Sequence, residues 1–181
     1  MPETRRAVDR ERARVYRAES TAFAHSRYEE PMGWLAVQAA AERIADDPWW
    51  VAATGGCRPV VVKARRDAAV SSSVSVADQH SIRVAPGHGT WVTLSHEHAH
   101  VLAHRTDPTA PGHGSLFRGA HLAVASRVLG PVGAAMLARA YDLHGLSATA
   151  APSDPPPWQP PTPHGMPHGI AELHNLAERG A

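Results

Sequence analysis

The chain has 181 residues, a formal net charge of +1 and an apolar fraction of 43%. This length is sufficient for one domain with a hydrophobic core. The near-zero net charge gives no general attraction to nucleic acid or membranes, and the single Cys57 excludes an internal disulfide and a cysteine-rich zinc site.

Targeting signals are not apparent in the sequence. Residues 1–20 are charged and lack the apolar segment of a secretory signal. No apolar run approaches the ~18 residues that a membrane-spanning helix requires. A single cysteine is also compatible with a reducing compartment. We therefore expect a cytoplasmic protein that does not enter a membrane.

The first part of the chain is predicted to be helical. Residues 5–19 have a sparse apolar stripe between arginines and acids, and this mixture of charges favours a solvated face over a nucleic-acid-binding one. Residues 33–45 form a second helical pattern, which Asp46, Asp47 and Pro48 interrupt.

Three short runs with β-branched residues follow, at 59–64, 70–76 and 80–85. Polar or glycine-containing turns separate them. This spacing predicts a small antiparallel meander.

Helical patterns resume after the turn at Pro86–Gly89, where Thr90 is a suitable N-cap. A helix is predicted from Trp91 to His104, followed by a loop over 106–114. Two further helices are expected, from Ser115 to Gly130 and from Pro131 to Gly145.

The C-terminal segment has a different composition. From Ser147 to about Pro167 the chain is proline-rich, which favours polyproline II or disorder and does not pack a core. We divide the chain into a folded domain over 1–146 and a Pro-rich, disordered tail over 147–181. The fold class is α+β, with a small antiparallel sheet between N-terminal and C-terminal helices.

The segment His96-Glu97-His98-Ala99-His100 fits the pattern H-E-x-x-H. On a helix, His96 and His100 lie on the same face about one turn apart, so both rings can bind one metal ion. Glu97 can then reach a water molecule on that ion, and zinc lowers the pKa of such a water to ~7. His98 points away from His96.

A catalytic zinc usually has three protein ligands and one open position. The candidates for the third ligand are His104, His113 and His121, with Asp107 a weaker one. His104 is disfavoured because three rings on one straight helix would spread over about 12 Å at ~1.5 Å per residue. His113 lies in a glycine-containing loop that permits close approach. The spacing alone leaves the third ligand open.

The H-E-x-x-H helix is followed by an H-G-x-x-F element at His113–Phe117, and further segments of the chain accompany these two motifs. In order, the segments are Arg10–Glu19, Ile82–Pro86, Leu94–His100, His113–Phe117, Leu129–Pro131, Ala140-Tyr141 and His144-Gly145. Together they resemble a family of small predicted zinc metallohydrolases from actinobacteria and their phages, which is distantly similar to SprT-like and other minimal zincin domains. The resemblance covers about residues 8–146.

The resemblance implies a zincin-like metallohydrolase domain over 1–146 with Zn²⁺ as cofactor. It implies that His96, His100 and His113 bind the zinc and that Glu97 is the base. In zincins an edge strand lines the cleft and pairs with an extended peptide, and Ile82–Ala85 is the candidate here.

The favoured function is a zinc-dependent hydrolase, most simply a metallopeptidase that acts as a monomer on a protein or peptide. Tyr141 and Arg118 are candidates for stabilising the oxyanion, although a position at the core edge and one on a solvated helix face also account for them.

Two alternatives remain. The first is a non-catalytic binding module stabilised by zinc, although a structural site does not need Glu97. The second is a nucleic-acid-associated, SprT-like protease. The domain lacks a strong basic patch and a cysteine-rich zinc finger, so we do not expect a nucleic-acid partner.

Overall fold

Helices dominate the computed structural model, which describes residues 3–64, 73–75 and 81–149. Within these ranges the chain forms six α-helices, a 3-10 helix at Arg27–Glu29 and one three-stranded sheet. In chain order the elements are α1 Glu3–Phe23, α2 Trp34–Asp46, α3 Pro48–Thr54, β1 Val60–Lys63, β2 Ser73–Ser75, β3 Ser81–Val84, α4 Trp91–Thr106, α5 Ser115–Val128 and α6 Gly130–Leu143.

Two helices begin at caps that the sequence encodes. The side chain of Thr90 accepts a hydrogen bond from the backbone N–H of Thr93 at 3.1 Å, so the predicted N-cap of α4 is confirmed. The side chain of Asp47 accepts one from Trp49 at 2.8 Å, and Pro48 occupies the first turn of α3. The predicted break after α2 therefore also starts a new helix, whose 7 residues are too few for periodicity to reveal.

The sheet is mixed, with the order β1-β3-β2. β1 pairs with β3 in parallel and β2 pairs with β3 antiparallel. The prediction of an antiparallel meander is therefore wrong, although the broad α+β class is confirmed. The chain between Lys63 and Ser81 exceeds the roughly dozen residues that a parallel crossover needs.

The prediction that Ile82–Ala85 forms an edge strand is also wrong, because β3 is hydrogen-bonded on both sides. Ile82 and Val84 are both buried, in one apolar cluster with residues of α2 and α4. Alternating residues indicate where a strand lies and which face is apolar, but not its place in the sheet. β3, whose Ile82 and Val84 are buried, is the central strand of the sheet.

α4 lies between two apolar clusters. Leu94 belongs to the smaller cluster, with residues of α2 and β3, whereas Leu102 belongs to the larger one, with residues of α1, α3, α5 and α6. The turn that carries His96 and Glu97 lies between these two leucines and is itself buried. The part of the chain that the structure describes contains no helix long and apolar enough to cross a membrane.

The chain remains attached to α5 just beyond residue 146. The carbonyl of Ser147 accepts a hydrogen bond from Arg118 at 2.6 Å, and the backbone N–H of Thr149 donates to Ser115 at 3.1 Å. The rest of the predicted tail, 150–181, lies outside the described residues, as do the predicted strand residues 70–72, 76 and 80.

His98 is a core residue on the opposite side of α4 from His96 and His100. Its side chain is fully buried, and its ring packs edge-on against Trp50 at a centroid distance of 5.3 Å. Its Nδ1 lies 2.7 Å from the carbonyl oxygen of Leu94, to which it donates. Burial lowers the pKa of His98 to about 4, so the ring is neutral in the folded protein at neutral pH.

We predict that His98 makes the metal-free protein less stable as the pH falls from about 6.5 to 4. In this window the unfolded chain binds a proton on His98 and the folded chain does not, because the folded pKa is about 4. Each such group removes up to about 1.4 kcal/mol of unfolding free energy per pH unit. Urea unfolding across this range should give a shallower pH slope for His98→Gln than for the parent. His88→Gln, at an exposed site, is the control, and equal slopes for His98→Gln and the parent would contradict the prediction.

Candidate metal centre

Three histidines from two elements converge at one place. His96 and His100 lie one turn apart on α4, and His113 precedes the first turn of α5. The Nε2 atoms of His96 and His100 are 3.1 Å apart, and the ring centroids of His100 and His113 are 4.7 Å apart. One ring nitrogen from each residue lies within 4.8 Å of the other two. The structure thus brings together the three predicted ligands.

The loop before α5 is shaped to present His113. Gly114 donates a backbone hydrogen bond to Pro111 at 3.0 Å, which closes a turn around the histidine. A Cβ on Gly114 would lie only 3.3 Å from Pro111, so a larger residue would press on this turn. The guanidinium of Arg118 then donates to the carbonyl oxygen of His113 at 2.7 Å. The loop is therefore fixed by its own backbone and by α5.

The donor set suits a zinc ion. Zinc prefers imidazole nitrogens at about 2.0–2.1 Å, so two ligands on one tetrahedral ion lie roughly 3.3 Å apart, close to the His96 and His100 spacing. Within the described residues, Nε2 of His113 is buried and has no hydrogen-bond partner. A buried polar atom without a partner costs about 1–3 kcal/mol, and a metal ion would remove that cost.

A second polar cluster shares His96. Nδ1 of His96 lies 2.5 Å from Oε1 of Glu19, and Nδ1 of His121 lies 3.5 Å from the same Glu19 oxygen. The hydroxyl of Tyr141 in turn lies 2.8 Å from that His121 nitrogen. The Glu19 carboxylate accepts the Nδ1–H of His96, which leaves the Nε2 lone pair of His96 directed at His100.

The second cluster therefore supports His96 from the side opposite the three-histidine cluster. Glu19, His96 and His121 also offer ligand atoms within 4.8 Å, but a metal there would compete with the Glu19 hydrogen bond and with Tyr141. His121, which the sequence left open as an alternative third ligand, belongs to this second cluster. Neither His104 nor Asp107 belongs to a cluster of metal-ligating side chains in the described ranges.

Glu97 occupies a buried position beside the three histidines, with 4% of its surface exposed. The net pKa of Glu97 is raised to about 7, mainly by burial and in part by the Glu19 carboxylate, while His96 and Arg12 act in the opposite direction. A carboxyl with a pKa near neutrality both accepts and returns a proton at physiological pH, as a general base must.

Two of the three imidazoles, His100 and His113, are held in their neutral form. Burial lowers the pKa of His113 to about 3 and lowers the pKa of His100 well below its usual range. Burial also acts to lower the pKa of His96, but the Glu19 and Glu97 carboxylates together outweigh burial, and the net pKa of His96 is raised. Neutral rings have the free lone pairs that a metal requires.

Arg118 and Tyr141, predicted as oxyanion stabilisers, already have protein partners. Arg118 is buried and donates to the carbonyls of His113 and Ser147, so its assignment to a solvated helix face is wrong. Tyr141 is buried against His121. The observed contacts of both residues support the loop and the second cluster.

Three residues of α1 that the sequence analysis did not select also adjoin the centre, namely Arg12, Tyr16 and Glu19. Their spacing places them on one helix face. Glu19 lies on the apolar face of α1, between the buried Ala18 and Ala22. A buried acid needs a partner, so the acid within this apolar stripe was the sequence signal from which the site residue could have been found.

The chain has no significant match to any protein-family model, curated protein or solved structure.

We predict that the purified protein binds about one zinc ion per chain. His96→Ala and His100→Ala should abolish binding, and His113→Ala should weaken it severely, because each change removes one converging nitrogen. Metal content by atomic emission measures this. His104→Ala, in the last turn of α4, is the control and should keep full occupancy. Full zinc in His113→Ala together with loss in His121→Ala would move the site to the second cluster.

We predict that Glu19→Gln weakens zinc binding by about 10- to 100-fold, as loss of a carboxylate behind a metal-binding histidine typically does. The amide keeps the size of the side chain but accepts the His96 hydrogen bond less strongly. Competition with a chromophoric chelator measures the affinity. Glu42→Gln, at an exposed position of α2, should match the parent. Unchanged affinity in Glu19→Gln would mean that Glu19 does not orient His96.

Proposed function

We propose that the protein is a zinc-dependent hydrolase of the minimal zincin type, and that it cleaves amide bonds in peptides or proteins. The observation that carries the proposal is the buried Glu97, with its pKa near 7, beside three converging histidines. The H-E-x-x-H spacing and the downstream His113 support the same reading.

His96, His100 and His113 would hold the ion. A bound zinc ion would supply a polarised water and a Lewis acid for the carbonyl oxygen. Glu97 accepts a proton from the attacking water and returns it to the amide nitrogen as the C–N bond breaks. Its buried position keeps bulk water from this proton.

The ligand count favours catalysis over a structural role. Structural zinc sites usually have four protein ligands, whereas catalytic sites keep one position open. Within the described ranges the cluster offers three histidines, and His98 packs against Trp50 on the other side of α4. A fourth protein ligand at the open coordination position would instead support the alternative of a zinc-stabilised binding module.

We predict that Glu97→Gln keeps its zinc and its fold but hydrolyses substrate about 10²- to 10⁴-fold more slowly, because the amide cannot take a proton. A fluorogenic peptide library and denatured proteins provide the assay, with Glu42→Gln as control. Equal activity of Glu97→Gln and the parent would refute this mechanism. A zinc-loaded parent that cleaves nothing in the library would favour the binding module.

A further inference from the structure

Two side chains of α1 cover the outer side of the three-histidine cluster. The ring of Tyr16 stacks on His96 with a centroid distance of 5.3 Å and an interplanar angle of 15°. The same ring lies 5.6 Å from His113 at a tilt of 59°. Tyr16 is half-buried and Arg12 is exposed, whereas His96 and His113 are buried. Tyr16 therefore lies between two ligand rings and the solvent.

Arg12 fixes Tyr16 from the solvent side. Its guanidinium carbon lies 5.4 Å from the centre of the Tyr16 ring, and its side chain hydrogen-bonds to that of Tyr16. The carboxyl of Glu97 interacts electrostatically with both residues. The proposed base, the phenol and the guanidinium are thus near enough for their charges to interact.

Amide hydrolysis places negative charge on the carbonyl oxygen, and a fixed donor directed at that oxygen accelerates the reaction. Arg118 is bonded to the carbonyls of His113 and Ser147, and the Tyr141 hydroxyl is paired with Nδ1 of His121 in the second cluster. Among the described residues around the three rings, Tyr16 combines a hydroxyl, contact with two of the histidines and partial exposure.

Building on the proposed hydrolase function, we propose that Tyr16 is a catalytic residue that stabilises the oxyanion and that Arg12 is its positioning residue. As the water oxygen bonds to the carbonyl carbon, the C=O electron pair moves onto the carbonyl oxygen. The Tyr16 hydroxyl donates a hydrogen bond to that oxygen and keeps its proton. Glu97 carries the water proton to the amide nitrogen, the C–N bond breaks, and a carboxylic acid and an amine leave.

The test compares Tyr16→Phe with Tyr28→Phe. Phenylalanine keeps the stacking on His96 and removes only the hydroxyl. Tyr28 is a matched control because it is a tyrosine with its own arginine, Arg27, 5.2 Å from the ring centre, and it packs on Phe23. Tyr16→Phe should lower kcat by about 10²- to 10³-fold with KM and zinc content nearly unchanged. Tyr28→Phe should keep the parental kcat. A kcat within threefold of the parent in Tyr16→Phe would overturn the proposal.

Arg12 needs a readout that separates positioning from folding. Arg12→Gln should lower kcat less than Tyr16→Phe does, and Arg12→Lys should restore part of the loss because it keeps the cation near the ring. Added to Tyr16→Phe, Arg12→Gln should lower kcat little further, since both act through one hydroxyl. Full additivity of the two losses would overturn the positioning role.

A binding measurement separates this proposal from the proposed function. A phosphonamidate dipeptide carries a tetrahedral anionic oxygen where the oxyanion would form, and its affinity for the zinc-loaded protein is measured by calorimetry. Tyr16→Phe should bind it about 100-fold more weakly than the parent, whereas Tyr28→Phe should bind it equally well. Equal affinity of Tyr16→Phe and the parent refutes the Tyr16 role whether or not a substrate is found. A parent that binds the phosphonamidate but cleaves no peptide refutes the hydrolase function alone.

Discussion

The hydrogen bond between Glu19 and His96 connects the fold to the site. It is 2.5 Å long, lies almost out of contact with water and joins α1 to α4. An isolated carboxylate at that depth would be costly, so α1 has to dock with Glu19 facing an imidazole. Once α1 is docked, His96 is held by its Nδ1 atom, and His121 and Tyr141 extend the network to α5 and α6.

This arrangement makes the candidate metal centre part of the packing. Three of its side chains lie beside the larger apolar cluster, and Phe117 of that cluster contacts all three rings. The folded chain holds the three rings close together before any ion arrives, and it keeps His100 and His113 neutral, which lowers the cost of binding. Binding of an ion would in turn stabilise the folded state, because the unfolded chain does not hold the three nitrogens together.

Local signals were sufficient to predict part of this structure. The histidine spacing on α4, the Thr90 cap and the turn before α5 depend on neighbouring residues, and all three appear where the sequence placed them. The sheet order depends on pairing between distant segments, which alternation does not encode. The role of Glu19 was missed for the same reason, since its partner lies 77 residues away. The burial of Arg118 was not predicted, because a charged side chain usually lies at the surface and the carbonyl groups that bind this one are apparent only in the folded structure.

Arg118 has a second consequence for the molecule. One guanidinium holds the carbonyl of His113 through one nitrogen and the carbonyl of Ser147 through another. The loop that presents the third histidine and the point where the chain leaves α6 therefore share one anchor. Tension on the chain beyond Thr149 would reach the third histidine by two short routes, through the Arg118 guanidinium and through the hydrogen bond from Thr149 to Ser115 at the start of α5.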